Sequence, residues 1–167
     1  TRGLRTCAGF ELYGNPMDPK VQAPIVARLK RLLQDYPMLD YVWLWEPEAM
    51  GSAPSDVPGS RSAWGRATAR WSESFDKIEK PERKAEAVRL TLFGQQAVQT
   101  LAAVRPGVRL VMSGWGGDAW LRCTDFYPGM DKLLPEPVVF SALDNIRVTP
   151  TVSEAYGQLG ASRERWP

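Results

Sequence analysis

Two carboxylates directly follow a short apolar and aromatic segment of this 167-residue chain. The segment from Tyr41 to Trp45 has the composition of a strand that is buried on both faces, and Glu46 and Glu48 come next, on either side of Pro47. In α/β proteins, ligands bind and chemistry takes place at the carboxyl ends of parallel strands. The carboxylates are therefore predicted to be acid/base groups, and the indoles beside them are predicted to be flat apolar surfaces for a sugar ring.

The spacing of the two glutamates predicts how they would share this chemistry. If the chain stays extended, Glu46 and Glu48 point the same way with their Cα atoms roughly 6.6 Å apart, which raises the pKa of one carboxyl group. Pairing of one glutamate with Asp144 across strands fits the sequence equally well. A carboxyl separation of about 5–5.5 Å would then predict retention of anomeric configuration, and about 6.5–9.5 Å would predict inversion.

Other candidate residues lie at the ends of other predicted strands. We assign Glu46, Glu48 and Asp144 to catalysis, and we assign Glu11, Trp45, Trp115, Asp118 and Asn145 to substrate binding. Trp115, which is framed by glycines, is expected to be a stacking platform. At least one of Trp43 and Trp45 is expected to pack against the helices.

Each assignment has a simpler alternative. Glu46 would have a structural role if it capped the next helix or bound Arg61 or Arg66, and an Asp after a strand often only closes a turn. Arg163 and Arg165 would either bind the carboxylate of a uronic acid or lie in a solvated tail.

The composition excludes several classes of function. The chain has no His, which removes His-based triads, His-ligated zinc and imidazole bases, and no metal or cofactor is expected. A net charge of +2 with scattered Lys and Arg argues against nucleic acid as a partner. No apolar run reaches the roughly 20 residues of a membrane span. The expected partner is therefore an oligo- or polysaccharide.

The cysteines and the first residue bear on the cellular compartment. Cys7 and Cys123 are far apart in the sequence, and they fit either two buried thiols or a single disulfide. The chain begins at Thr1 without Met, as expected of a mature or excised N-terminus. The missing signal peptide is therefore no evidence for the cytoplasm, and an extracellular or periplasmic location is favoured.

Periodicity predicts alternating strands and helices. Strands are expected at residues 7–13, 41–45, 108–113 and 138–143, helices at 19–36, 63–78, 81–104 and 119–134, a long loop at 51–62 and an irregular tail from about 146. This order predicts parallel strands joined by right-handed crossovers, as in a doubly wound sheet or a (β/α)8 barrel.

The barrel is the favoured fold. Every predicted strand ends in polar or aromatic residues, and no G-x-G-x-x-G turn follows the first strand. Since a whole barrel needs about 250 residues, residues 1–167 are predicted to be a single α/β domain, a partial TIM barrel of about four βα units. Its open edges are expected to drive association with a second copy or with the rest of the barrel.

The sequence Trp45-Glu46-Pro47-Glu48 resembles the acid/base strand of TIM-barrel glycoside hydrolases, in which an Asn-Glu-Pro motif is common. Here Trp45 stands in the place of the Asn. The resemblance extends over roughly residues 5–150, and it implies that Glu46 or Glu48 is the general acid/base, with the nucleophile on a later strand. The expected activity is hydrolysis of O-glycosidic bonds. The alternatives are a carbohydrate-binding or inactive barrel, or a barrel enzyme that acts on a phosphorylated or acidic small molecule.

Overall fold

The computed structural model describes residues 7–11, 14–45, 63–115, 123–143 and 155–166, which form a parallel sheet and a layer of helices. The α/β class predicted from the sequence is confirmed. The strands are β1 (Cys7–Glu11), β2 (Tyr41–Trp45), β3 (Arg109–Trp115), β4 (Val139–Leu143) and β5 (Arg165–Trp166), and the helices are α1 (Pro19–Asp35), α2 (Ala63–Trp71), α3 (Pro81–Val104) and α4 (Tyr127–Leu133). Short 3-10 segments follow α2 (Ser72–Phe75) and precede α4 (Cys123–Phe126).

Helix α1 begins at Pro19 and is capped by Asp18, as predicted. The Asp18 carboxylate accepts a hydrogen bond from the backbone N–H of Lys20 at 2.8 Å, and Pro19 occupies the first turn, where a missing N–H costs nothing. The apolar face of the helix packs on the core as expected, with Leu29 and Leu33 buried. Capping and hydrophobic spacing together determine where this helix starts and which side it buries.

The strands lie in the sheet in the same order as in the chain. The order is β1-β2-β3-β4-β5 and every neighbouring pair is parallel. Right-handed crossovers in this order place all connecting helices on one face of the sheet. Accordingly, Val42 and Leu44 of β2 and Phe140 of β4 are buried against the described helices in one cluster. A doubly wound sheet reverses its strand order and carries helices on both faces, so that alternative is excluded for the described strands.

The opposite face of the sheet is aromatic. Because side chains alternate along each strand, this face carries Tyr41, Trp43, Trp45, Val111, Ser113, Val139, Ser141 and Trp166, and we call it the indole face. The rings of Tyr41 and Trp166 meet edge to face with centroids 4.8 Å apart, although β3 and β4 separate their strands. Together with Trp43 they pack on Val111 and Val139, which are completely buried. No described helix contributes to this cluster.

The two indoles of β2 lie on the side away from the helices. Trp43 and Trp45 are both on the indole face, while the smaller Val42 and Leu44 pack against the helices. The prediction that at least one of these indoles packs against the helices is therefore wrong. The physical reason is that both faces of β2 are apolar, so hydrophobicity alone does not decide which face the helices cover.

A fifth strand lies at the edge of the described sheet. Arg165 and Trp166 pair with β4 in parallel, opposite Phe140 and Ser141. Residues 155–157 form a helical turn, from which the Tyr156 hydroxyl donates a hydrogen bond to the carbonyl oxygen of Trp166 at 2.6 Å. The prediction of an irregular tail is wrong for residues 155–157 and 165–166. A strand of two residues is too short to show the alternation by which strands are recognised.

Arginine side chains join the helix ends at the amino edge of the sheet. Arg163 is 7% exposed, and its guanidinium pairs with the Asp131 carboxylate and donates to five backbone carbonyls between residues 131 and 138 at 2.6–3.1 Å. These include the otherwise unpaired carbonyls at the end of α4. Arg105 closes the end of α1 in the same way, donating to Pro37 O at 2.8 Å and to Leu33 O. Arg163 is therefore neither a carboxylate clamp nor part of a solvated tail.

Candidate functional site

Five residues lie in one row across the sheet at the carboxyl ends of the strands. In the register, Glu11 pairs with Trp45, Trp45 with Ser113, Ser113 with Ser141, and Ser141 with Trp166. We call these residues the carboxyl row. Because neighbouring strands are about 4.8 Å apart, the row spans roughly 19 Å. Since the strands are parallel, the segments that follow β1 to β4 in the chain all leave the sheet at this edge.

The carboxyl row combines flat apolar surfaces with hydroxyl groups. Ser113 and Ser141 are register neighbours and each is 4% exposed. In the register they lie between Trp45 and Trp166, which are both half-buried, but the Trp166 ring is turned toward the amino edge. There it meets Tyr41, and its Nε1–H donates to the Glu164 carboxylate at 2.9 Å. The Trp45 ring is supported from below by Trp43, with centroids 6.0 Å apart and ring planes inclined at 62°. This arrangement suits a ligand that has both apolar ring faces and hydroxyl groups.

Two polar atoms on the indole face are buried without a hydrogen-bond partner among the described residues. They are Nε1 of Trp43 and Oγ of Ser113. Buried polar groups in proteins are almost always paired, and leaving one unpaired costs about 1–3 kcal/mol. Ser113 is the register partner of Trp45, two residues along β2 from Trp43, so the two atoms belong to adjacent strands. Both atoms are closed off from solvent in the ligand-free protein, so each is expected to destabilise the fold locally.

Strand β1 approaches β2 closely at Trp43. Gly9 is the register partner of Trp43, and a Cβ atom at residue 9 would lie 2.8 Å from the Cβ of Trp43 and would also collide with its carbonyl oxygen. Real Cβ atoms do not approach this closely without displacing their neighbours. Glycine is therefore required here, and it keeps β1 in pairing distance next to a bulky indole.

The structure describes part of the site predicted from the sequence. Glu11 and Trp45 are brought together as register partners, and Trp115 ends β3 opposite Leu143, the last residue of β4. The side chains of Glu11 and Trp115 lie outside the described part of the chain, as do those of the two cysteines.

The candidate carboxylates after β2, β3 and β4 follow strands that end at the carboxyl edge. The predicted site residues that lie outside the described ranges are Glu46, Glu48, Asp118, Asp144 and Asn145. Chain connectivity relates them to the carboxyl row, because Glu46 is bonded to Trp45, a member of that row, and Asp144 follows the last residue of β4. Their assignment to catalysis or binding therefore stays a prediction.

Three residues of the carboxyl row were not among the predicted site residues. Ser113 and Ser141 each interrupt an apolar strand, and a polar residue at such a position is a signal, since a buried hydroxyl needs a partner. Trp166 had no comparable signal because its strand has only two residues.

A shallow groove of about 420 Å³ lies elsewhere, between α1 and α3. Residues of α1, among them Gln22, Ala23 and Lys30, line it together with Gln96 of α3. Its described lining residues include no carboxylate and no aromatic ring, so the groove does not offer the acid/base chemistry predicted from the sequence.

Comparison of the chain with models of protein families, with curated proteins and with solved structures finds no match. Within the described ranges, no group of three or more His, Cys, Asp or Glu residues is arranged to hold a metal ion. No helix in those ranges is long and apolar enough to cross a membrane.

Proposed function

We propose that this protein acts on an oligo- or polysaccharide at the carboxyl row and hydrolyses O-glycosidic bonds by carboxylate acid/base chemistry. The observation that carries the proposal is the register of the row, which places two buried serines in line with the half-buried Trp45. Sugars present apolar ring faces to indoles and hydroxyl groups to polar side chains. The candidate carboxylates Glu46 and Asp144 follow β2 and β4, whose carboxyl ends lie at the same edge.

The strand order supports a partial TIM barrel as the fold. In a TIM barrel, consecutive parallel strands are neighbours, the helices form an outer ring and the opposite face of the sheet becomes the interior. The described sheet has sequential order, and its described helices lie on one face, so the indole face corresponds to the barrel interior. Completion of the edges at β1 and β5 by a second copy or by the rest of a barrel belongs to this proposal.

The proposed reaction uses two carboxyl groups. The neutral acid, Glu46 or Glu48, gives its proton to the glycosidic oxygen as the bond to the anomeric carbon breaks. The second carboxylate, Asp144 or the other glutamate, either attacks the anomeric carbon or removes a proton from the attacking water. Trp45 would hold the face of a sugar ring in this reaction.

A carbohydrate-binding protein without catalysis is the second candidate function. The favouring observation is that the row aligns Ser113 and Ser141 with the Trp45 indole, because a sugar could be bound by such groups without a matched carboxylate pair. The two functions differ in turnover and share the same binding surface.

Trp45→Ala tests the binding surface that both functions require. We expect the Kd for a neutral oligosaccharide to rise at least about tenfold, because loss of an indole platform removes roughly 1.4 kcal/mol or more. The measurement is isothermal titration with the tightest ligand from a panel of soluble gluco-, xylo-, manno- and galacto-oligosaccharides. Tyr36→Ala is the matched control, since Tyr36 is a 57% exposed aromatic residue that follows α1 at the amino edge of the sheet.

The control should bind the oligosaccharide as tightly as the wild type. Equal affinities of Trp45→Ala and wild type would place the sugar elsewhere and contradict the proposal, and so would the absence of binding to any oligosaccharide of the panel.

A further inference from the structure

We propose that Trp43 is a positioning residue of the sugar site: its ring holds the Trp45 indole in the orientation that binds a sugar, and Gly9 on β1 sets the place of Trp43. This inference rests on the proposed function and deepens it, since it makes the affinity depend on two residues that act through Trp45. It is carried by the contact between the two indoles and by the close approach of β1 to β2.

The ring of Trp43 lies next to that of Trp45, on the side toward the amino edge of the sheet. Residues two apart on a strand share a face, and here the ring centroids are 6.0 Å apart with the planes inclined at 62°. This is an edge-to-face contact, which aromatic pairs prefer over a flat sandwich. The tilt of the half-buried Trp45 ring is therefore coupled to the position of the Trp43 ring.

The Trp43 ring is held by its own surroundings. It packs on the cluster of Tyr41, Val111 and Val139, of which Tyr41 is 4% exposed and the two valines are completely buried. Its register partner on β1 is Gly9, and a Cβ atom at residue 9 would lie 2.8 Å from the Cβ of Trp43. A side chain at residue 9 would therefore displace Trp43 from this place.

The indole at residue 43 carries a cost that an aliphatic side chain would avoid. Its Nε1 is buried and has no hydrogen-bond partner among the described residues, and an unpaired buried donor destabilises a fold. A leucine would fill apolar space at this position without an N–H group. Local costs of this kind are expected at functional positions, and contact with Trp45 is the role that we assign to the ring.

Preorganisation is the physical reason why this contact would affect affinity. A side chain that moves freely in the unbound protein must be immobilised when a ligand binds, and this loss of freedom weakens binding. With Trp43 in place, the Trp45 indole is oriented before the sugar arrives. Without Trp43, we expect the Kd for an oligosaccharide to rise about two- to tenfold.

The first test needs no sugar. The order parameter of the Trp45 Nε1–H bond is measured by ¹⁵N relaxation in the wild type, Trp43→Leu and Gly9→Ala, and we expect it to fall in both variants because the Trp45 ring gains freedom. Gly157→Ala is the matched control and should keep the wild-type value, since a Cβ at residue 157 meets no atom within 4 Å.

An unchanged order parameter in Trp43→Leu would overturn the positioning role of Trp43, and an unchanged one in Gly9→Ala would overturn the role of Gly9. Gly9→Ala keeps every indole of the protein, so it tests the inference through a second residue even where Trp43→Leu does not fold.

The second test is a double-mutant cycle on sugar affinity. The Kd for the tightest oligosaccharide of the panel is measured for the wild type, Trp43→Leu, Trp45→Ala and the double variant. Because Trp43 acts through Trp45, we expect Trp43→Leu to raise the Kd about two- to tenfold when Trp45 is present and to have no further effect when residue 45 is Ala. A general structural role of Trp43 would instead weaken binding by the same factor in both backgrounds.

The outcomes separate this inference from the proposed function. Equal factors in the two backgrounds, or an unchanged Kd in Trp43→Leu, would overturn the positioning role while the sugar site stands. If no oligosaccharide of the panel binds the wild type, the proposed function fails, and the inference about affinity fails with it.

Discussion

Replacing Glu46 with Gln is expected to lower kcat for glycoside hydrolysis by about 10²–10⁴-fold and to leave substrate binding within a few-fold of the wild type. Glutamine keeps the size of the side chain and its capacity for hydrogen bonding, but it does not transfer a proton. The loss should be smaller for a 4-nitrophenyl glycoside than for a disaccharide, because 4-nitrophenolate leaves without protonation. Release of 4-nitrophenol and of reducing sugar, measured side by side, gives the two rates.

Two further variants make this experiment decisive. Glu79→Gln changes an exposed glutamate just before α3 and should keep the wild-type rate. Glu48→Gln decides which of the two glutamates is the acid, since only the variant of the acid shows the dependence on the leaving group. Wild-type rates in both Glu46→Gln and Glu48→Gln would contradict the hydrolase proposal, and oligosaccharide binding by these variants would then support the carbohydrate-binding alternative.

Replacing Arg163 with Ala is expected to cost about 3–5 kcal/mol of unfolding free energy. The change removes the counter-charge of the Asp131 carboxylate, whose side chain is 16% exposed and which keeps the hydrogen bond from the Gly160 N–H at 2.9 Å. It also takes the guanidinium donor from the carbonyls at the end of α4. Arg163→Lys should also be strongly destabilising, because one ammonium group does not reach acceptors that the planar guanidinium contacts on several sides. Urea unfolding followed by circular dichroism measures the free energy of each variant.

The control for Arg163 is an exposed ion pair of the same chemical type. Arg31 pairs with Asp35 on the surface of α1, where the two side chains are 75% and 42% exposed. Arg31→Ala should therefore leave the unfolding free energy unchanged within error. An Arg163→Ala variant within about 1 kcal/mol of the wild type would show that the buried guanidinium does not hold α4 against the sheet.

The helices and the longer strands were predictable because local signals determine them. Asp18 and Pro19 mark the start of α1, and the limits of α3 at Pro81 and Val104 agree with the predicted range. The position of β5 was not predictable, since Arg165 and Trp166 pair only through the tertiary contact with β4. The face occupied by Trp43 was also not predictable, because both sides of β2 are apolar.

In the candidate site, too, the residues marked by a local pattern were predictable and those placed by tertiary pairing were not. Trp45 and the residues that follow it could be proposed as site residues from the sequence alone, because polar and aromatic groups at the end of an apolar strand are a local pattern. The alignment of Ser113 and Ser141 with Trp45 depends on the register between strands that are far apart in the chain. No local pattern determines that register, so Ser113 and Ser141 could be assigned to the carboxyl row only from the structure of the sheet.

The indole N–H resonances of the seven tryptophans offer the most direct test of the sugar site at the carboxyl row. In a ¹H–¹⁵N correlation spectrum, single Trp→Phe variants assign each signal, and an oligosaccharide is then titrated into the wild-type protein. We expect the signals of Trp45 and Trp43 to shift with saturation, while that of Trp71, which packs on the helical side in α2, stays in place. Shifts confined to Trp71, or no shift at Trp45 and Trp43, would contradict a sugar site on the indole face.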